Sequence, residues 1–265
     1  MSIVVTENLT RYFGRLKAVD DLTLAVEDGE VFGLLGPNGA GKTTVVKMLT
    51  TLLPPTSGRA LIAGLDIVRQ AAAVRRVIGY VPQMLSADGS LTGYENLLAF
   101  AKLYDLPRAV RRKRVLEALE IMGLSDAAHR LVRTYSGGMI RRLEIAQSML
   151  HEPRVLFLDE PTIGLDPLSR QAVWKRVEQL RNEFGTTILL TTHYMEEAES
   201  LCDRVAIMHI GQVKATGTPD ELKARIGGSS TTLEDVFAHY AGAEPVKRGS
   251  YRETYRIRRT ARRLG

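Results

Sequence analysis

The feature that most constrains this chain is a run of eight residues, Gly36-Pro37-Asn38-Gly39-Ala40-Gly41-Lys42-Thr43. They fit G-x-x-x-x-G-K-[ST] in full, a pattern that arises by chance in roughly 1% of chains of this length. The apolar run Val31–Leu35 precedes the loop and a helical segment, Thr44–Leu49, follows it. Glycine permits the backbone to turn successive N–H groups toward one point, which makes an anion nest. The helix N-terminus behind the nest adds about half a positive charge. The sequence therefore predicts a phosphate cradle built from Gly36, Pro37, Asn38, Gly39, Ala40, Gly41, Lys42, Thr43 and Thr44. Lys42 would reach the β- and γ-phosphates of a nucleotide, and the Thr43 hydroxyl would ligate Mg²⁺.

Such a loop needs a strand in front of it, and the chain supplies several of one kind. Val31–Leu35, Val77–Val81, Val155–Leu158, Ile188–Leu190 and Val205–Met208 are short, apolar and without alternation. Strands covered on both faces of a parallel sheet read this way. Helical patterns between them predict an α/β fold, a P-loop NTPase core with a mostly parallel sheet and flanking helices. The first 30 residues and Arg59–Ala63 alternate more, which predicts a small antiparallel sheet near the N-terminus. Residues 92–151 hold no convincing strand, and their apolar residues recur at helical spacing, as a helical subdomain would. A further helix is punctuated by Asp166 as N-cap, Pro167 in the first turn and Gly185 at the end.

The run Val155–Leu158 ends in two acids, Asp159 and Glu160. Ligands of open α/β sheets bind beyond the carboxyl ends of the strands. Asp159 is thus placed to hold Mg²⁺ or one of its waters, and Glu160 to polarise an attacking water. No Asn-Lys-x-Asp guanine-reading motif occurs, which disfavours a GTPase.

Composition excludes several other classes. The one cysteine, Cys202, cannot make an internal disulfide, which points to a reducing compartment. No apolar run approaches the ~18–20 residues that cross a bilayer, and the first residues, Met1–Glu7, do not read as a signal peptide. The formal net charge of +6 is concentrated at the end of the chain, where residues 246–265 carry eight basic residues against one acid, Glu253. The rest is close to neutral, so no nucleic-acid partner is expected. Residues 243–265 are expected to form a basic, flexible tail that could meet an anionic membrane surface.

Tyr135-Ser136-Gly137-Gly138-Met139 opens another helix, and two readings stand open for it. It is either a plainly capped helix start or a second place where backbone N–H groups meet phosphate. Two phosphate sites with one acidic pair would mean two ligands, or one ligand held between two chains.

The order of these motifs resembles the ATP-binding subunit of ABC transporters over residues 1–242, most closely the drug-export subunits that pair with ABC-2 type permeases. The resemblance implies a catalytic core of residues 1–84 and 152–222, a helical signature subdomain of 85–151 and a C-terminal helix region of 223–242. It implies that Ser136, Gly137 and Gly138 touch the ATP of a second, head-to-tail copy. Tyr135 and Met139 depart from the commonest Leu-Ser-Gly-Gly-Gln form. It further implies that Gln83 contacts Mg²⁺ and the attacking water. His193 would hydrogen-bond the γ-phosphate. Phe13, with Tyr12 as the alternative, would stack on adenine. Asp166 would sit in the loop that meets the second subunit, although it also reads as a helix cap, and Ile163 stands where serine is frequent. The expected work is ATP hydrolysis at the cytoplasmic face of a membrane, driving export through a separate permease. A soluble ABC ATPase of assembly or translation is the rival class.

Overall fold

The structure is a computed structural model, and it describes residues 1–227 and 231–241. The basic tail expected at 243–265 lies outside the described residues. The chain opens with two long strands, β1 (Ser2–Phe13) and β2 (Leu16–Glu27), joined by a tight turn and paired antiparallel. Next come β3 (Val31–Leu35) and α1 (Lys42–Leu49), with the glycine-rich loop between them. Then follow β4 (Ser57–Ile62), β5 (Leu65–Asp66), α2 (Ala71–Val77) and β6 (Ile78–Val81). Three helices interrupt the strands: α3 (Gly93–Leu103), α4 (Arg108–Ile121) and α5 (Gly137–Met149). The second half contains β7 (Val155–Asp159), α6 (Pro167–Phe184), β8 (Thr187–Thr192) and α7 (Met195–Leu201). It closes with β9 (Arg204–His209), β10 (Gln212–Gly217), α8 (Pro219–Ile226) and α9 (Leu233–Ala241).

Two sheets result. The small one runs β2-β1-β4-β5 and is antiparallel throughout, as the alternation near the N-terminus predicts. The large one runs β10-β9-β3-β8-β7-β6, with parallel pairing from β9 to β6 and β10 antiparallel at the edge. Its middle strands β3, β8 and β7 are buried at every residue. That burial explains their unbroken apolar sequence, because both faces of the sheet are covered. Side chains alternate between two cores. Val31, Leu35, Leu156, Leu158, Ile188 and Leu190 pack with α3, α4, α5 and α6. Phe32, Leu34, Val155, Phe157 and Leu189 pack with α1 and the small sheet.

Local chemistry fixes the helix ends. The Asp166 carboxylate accepts the Ser169 amide at 3.0 Å, Pro167 occupies the first turn, and Gly185 ends α6 in the left-handed conformation at φ 62°. Gly33 is required by packing: a Cβ there would press on Cys202 Sγ at the end of α7. The register does most to place the functional loops. Leu35 pairs with Thr192, and Asp159 pairs with Thr191, so the carboxyl ends of β3, β8 and β7 lie side by side.

The two-sided burial of β7 has a measurable consequence. Phe157 is fully buried, so Phe157→Ala should lower the free energy of unfolding by about 3–5 kcal/mol. Leu103→Ala, at an exposed position on α3, should change it by no more than about 0.5 kcal/mol. Urea unfolding of the two variants checks the contrast.

Candidate functional site

Three loops meet where the three middle strands end. The loop after β3 carries Gly36–Gly41, the turn after β7 carries Glu160, and the turn after β8 carries His193. Lys42, first residue of α1, folds back over its own loop. Its Nζ donates to the carbonyls of Gly36 at 2.7 Å and Pro37 at 3.3 Å, and lies 3.1 Å from Glu160 Oε1. The other oxygen of Glu160 lies 2.5 Å from His193 Nδ1. One buried carboxylate thus joins the lysine to the histidine. Glu160 holds a left-handed backbone at φ 50°, unusual for a residue with a side chain and worth about 1–3 kcal/mol of strain. Its amide is fixed in that turn by the carbonyl of Thr191 at 3.1 Å and the Thr191 hydroxyl at 3.0 Å.

Beside this cluster is a pair of hard oxygen donors. Thr43 Oγ1 donates to Asp159 Oδ1 at 3.1 Å, and the same oxygen accepts from Thr191 Oγ1 at 2.6 Å. A hydroxyl and a carboxylate meeting at a helix start suit a small divalent cation such as Mg²⁺, which prefers oxygen ligands. Burial, with a contribution from the Asp159 charge, pushes the Tyr80 phenol up to about 12, so it stays neutral beside that carboxylate. No side chain caps the start of α1, where Gly41 turns at φ 106°. A Cβ on Gly36 or Gly41 would collide with the backbone oxygens of Met208 or Ala18. Both glycines are therefore demanded by close approach of the chain.

The other expected residues lie apart from this centre. Ser136 caps α5, its hydroxyl accepting the Met139 amide at 3.3 Å. A Cβ on Gly138 would press on Ser169, so that glycine also lets α5 meet α6. Among the described residues, no hydrogen bond links Ser136, Gly137 or Gly138 to Gly36–Thr44. Asp166 serves as the cap of α6, and its carboxyl is held below the usual range by Ser169. Gln83 is exposed on the loop after β6, and no hydrogen bond among the described residues joins its side chain to the Thr43–Asp159 pair. Tyr12 and Phe13 are half-exposed at the end of β1. Lys17 lies over the Tyr12 ring at 5.4 Å and Arg11 over the Phe13 ring at 4.9 Å. Neither aromatic belongs to the core. A cavity of about 670 Å³ opens near Arg154 and Thr186, at the amino ends of β7 and β8, and none of the expected site residues lines it.

Two residues of the centre went unnoticed in the sequence. Thr191 orients both acids at once, yet a threonine in a strand reads as an ordinary β-branched residue. Glu197 on α7 is fully buried, and its Oε1 accepts from Thr162 Oγ1 at 2.8 Å and Trp174 Nε1 at 2.9 Å. Burial raises its carboxyl above the ordinary value, opposed by these hydrogen bonds.

Fold and site together define a nucleotide-hydrolysing enzyme of the P-loop class. Comparison with known proteins narrows the class. The family model described as ABC transporter matches residues 19–163. The daunorubicin resistance ATP-binding protein DrrA3 of Streptomyces coeruleorubidus is 49% identical over 239 residues, which is 90% of this chain and 74% of that one. The doxorubicin resistance ATP-binding protein DrrA of Mycobacterium tuberculosis is also 49% identical, over 81% of this chain and 64% of its own. A solved ATP-binding subunit of an ABC transporter superposes with a TM-score of 0.79 at 30% identity, covering 90% of this chain and 99% of that one. The chain belongs to the ABC transporter family, as an ATP-binding subunit whose ATP hydrolysis drives transport. Among the described residues no helix is long and apolar enough to cross a membrane.

The Glu197 carboxyl generates a pH prediction. Because its folded value is raised, the folded state binds the extra proton, and stability falls as pH rises past the unfolded carboxyl value of about 4.3. Glu197→Gln removes that loss and keeps an oxygen for Thr162 and Trp174. Its unfolding free energy should exceed that of the parent at pH 7, by an amount that shrinks toward pH 4. Urea titrations across that range check the sign.

Proposed function

We propose that this chain powers export of a drug-like amphiphile through a separate ABC-2 type permease, working from the cytoplasmic face of the membrane. Its similarity to daunorubicin and doxorubicin resistance proteins supports the cargo class. The observation that carries the catalytic reading is the Glu160 carboxylate bridging Lys42 and His193, next to the Thr43–Asp159 pair.

In this reading the amides of Gly36–Thr44 and the Lys42 ammonium bind the phosphates, with phosphate oxygens replacing the Gly36 and Pro37 carbonyls as lysine acceptors. Thr43 and Asp159 hold Mg²⁺, which supplies positive charge to the terminal phosphates when bound. Glu160 takes the proton of the attacking water as its oxygen bonds to the γ-phosphorus and the bond to ADP breaks. His193 donates to the γ-phosphate and is oriented by Glu160. Phe13, or Tyr12 beside it, offers an aromatic face to adenine, and the nearby Arg11 and Lys17 add positive charge. Gln83 joins the site when its loop moves inward.

The second ligand shell comes from another copy. Ser136, Gly137 and Gly138 present a capped helix start with about half a positive charge, and they face ATP bound to the partner chain in a head-to-tail homodimer. Asp166 lies at the same contact. The helical unit of residues 85–151, which includes Leu91–Asn96, grips a cytosolic helix of the permease. The core of 1–84 and 152–222 carries the chemistry, and 223–242 forms the C-terminal region beside it. The tail of 243–265 adds affinity for an anionic leaflet.

Glu160→Gln tests both halves. The variant should bind ATP but hydrolyse it about 10²–10⁴-fold more slowly, the usual range for loss of a general base. Tagged and captured from detergent-solubilised cells with ATP and Mg²⁺, it should bring down a multi-spanning membrane protein. Parental turnover would remove Glu160 from the reaction. Recovery of soluble assembly or ribosomal components alone would remove the permease.

A further inference from the structure

Helix α5 does more than present Ser136 at its start. Arg141, five residues on and about 8 Å along the axis, is buried at 2% exposure. Its guanidinium donates to the Pro82 carbonyl at 2.6 Å, to the Gln83 carbonyl at 2.7 Å and to Glu144 Oε2 at 3.0 Å. Glu144, three residues further on the same face, is equally buried. Its Oε1 accepts from the amide and hydroxyl of Ser86 and from the Ala87 amide at 3.3 Å. One ion pair on one helix thus grips both ends of the segment 82–87. Gln147 continues the face: its Nε2 lies 3.4 Å from Asn96 Oδ1, which accepts the Asp88 amide at 3.0 Å.

Two charges are seldom buried unless each finds partners for its remaining donors and acceptors. Here those partners are almost all backbone groups of one exposed loop. Burial pulls the Arg141 guanidinium below its ordinary value, while the Glu144 and Asp159 charges oppose that shift.

We propose that the buried Arg141–Glu144 pair is a strut that ties the loop carrying Gln83 to α5, so that the Ser136 end of the helix and Gln83 move as one body. The strut rests on the reading above, in which Ser136 meets the partner's ATP and Gln83 serves hydrolysis within its own chain. Nucleotide bound by the partner pulls on Ser136, and the strut carries that displacement to Gln83. Arg141 and Glu144 are positioning residues that act through Gln83.

Arg141→Lys in the full chain keeps a positive charge but cannot fork to two carbonyls and a carboxylate together. Its kcat should fall by up to about 10²-fold, the cost of misplacing a reacting group by about 1 Å. KM for ATP should stay within about twofold, since the phosphate loop is untouched. Gln83→Ala should lower kcat on its own, and the double variant should be no slower than Gln83→Ala alone, because the arginine acts through the glutamine. Multiplying losses in the double variant, or a parental kcat in Arg141→Lys, would overturn the strut. A parental kcat in Gln83→Ala would overturn the role of Gln83 on which it rests. Should Arg141→Lys not fold, Glu144→Asp retains the charge and shortens the arm to Ser86 and Ala87, and the same cycle with Gln83→Ala applies.

Discussion

The ion pair between Lys42 and Glu160 is the contact on which the rest of the site depends. Both side chains are buried, and a buried charge is tolerable only with close partners. The lysine finds the carboxylate and two carbonyls of its own loop, and the carboxylate finds the lysine and His193. These groups come from the ends of β3, β7 and β8, and they meet because those strands are neighbours in the order β3-β8-β7. A shift of register by one residue would turn Asp159 away from Thr191 and undo the arrangement. The fully covered sheet is therefore what keeps three separate loops within hydrogen-bond distance of one another.

Around this rigid centre the chain sets parts that are held by polar contacts. The segment 82–87 is bound to α5 chiefly through Arg141 and Glu144, with little apolar packing: Met84 and Leu85 are exposed. Polar grips of this kind can exchange partners without breaking a hydrophobic core. That division suits a motor subunit, whose ATP site must keep its geometry while its connections to other chains shift. Along α5 the capped start at Ser136 is followed, within about two turns, by the Arg141–Glu144 pair that grips a loop of its own chain.

Much of this was legible in the sequence for physical reasons. The unbroken apolar runs predict the five parallel strands because burial on both faces removes alternation, and the predicted bounds differ from the structure by only a residue or two. Asp166, Pro167 and Gly185 punctuate α6 as read, since caps act within a turn of the helix. The phosphate loop and the acidic pair were visible because their residue types are rarely used together for anything else. Thr191 was not, because its role depends on a neighbour in the sheet 32 residues away from Asp159. Arg141 and Glu144 were missed for a similar reason: nothing in the spacing along the helix singles them out, and only the fold shows the loop that buries them. Gln83 reads as a polar loop residue and is one, but the contacts that hold its loop were out of reach, since they are set by what packs on it.

The central claim is that the phosphate loop of one chain is completed by Ser136 of another. The direct measurement is the mass of the Glu160→Gln chain in solution with ATP, by sedimentation velocity, with and without Ser136→Arg. The account predicts a dimer that forms only with ATP, and a monomer that still binds ATP once Ser136→Arg is added. A dimer that persists in Ser136→Arg, or one that forms equally without ATP, would contradict it.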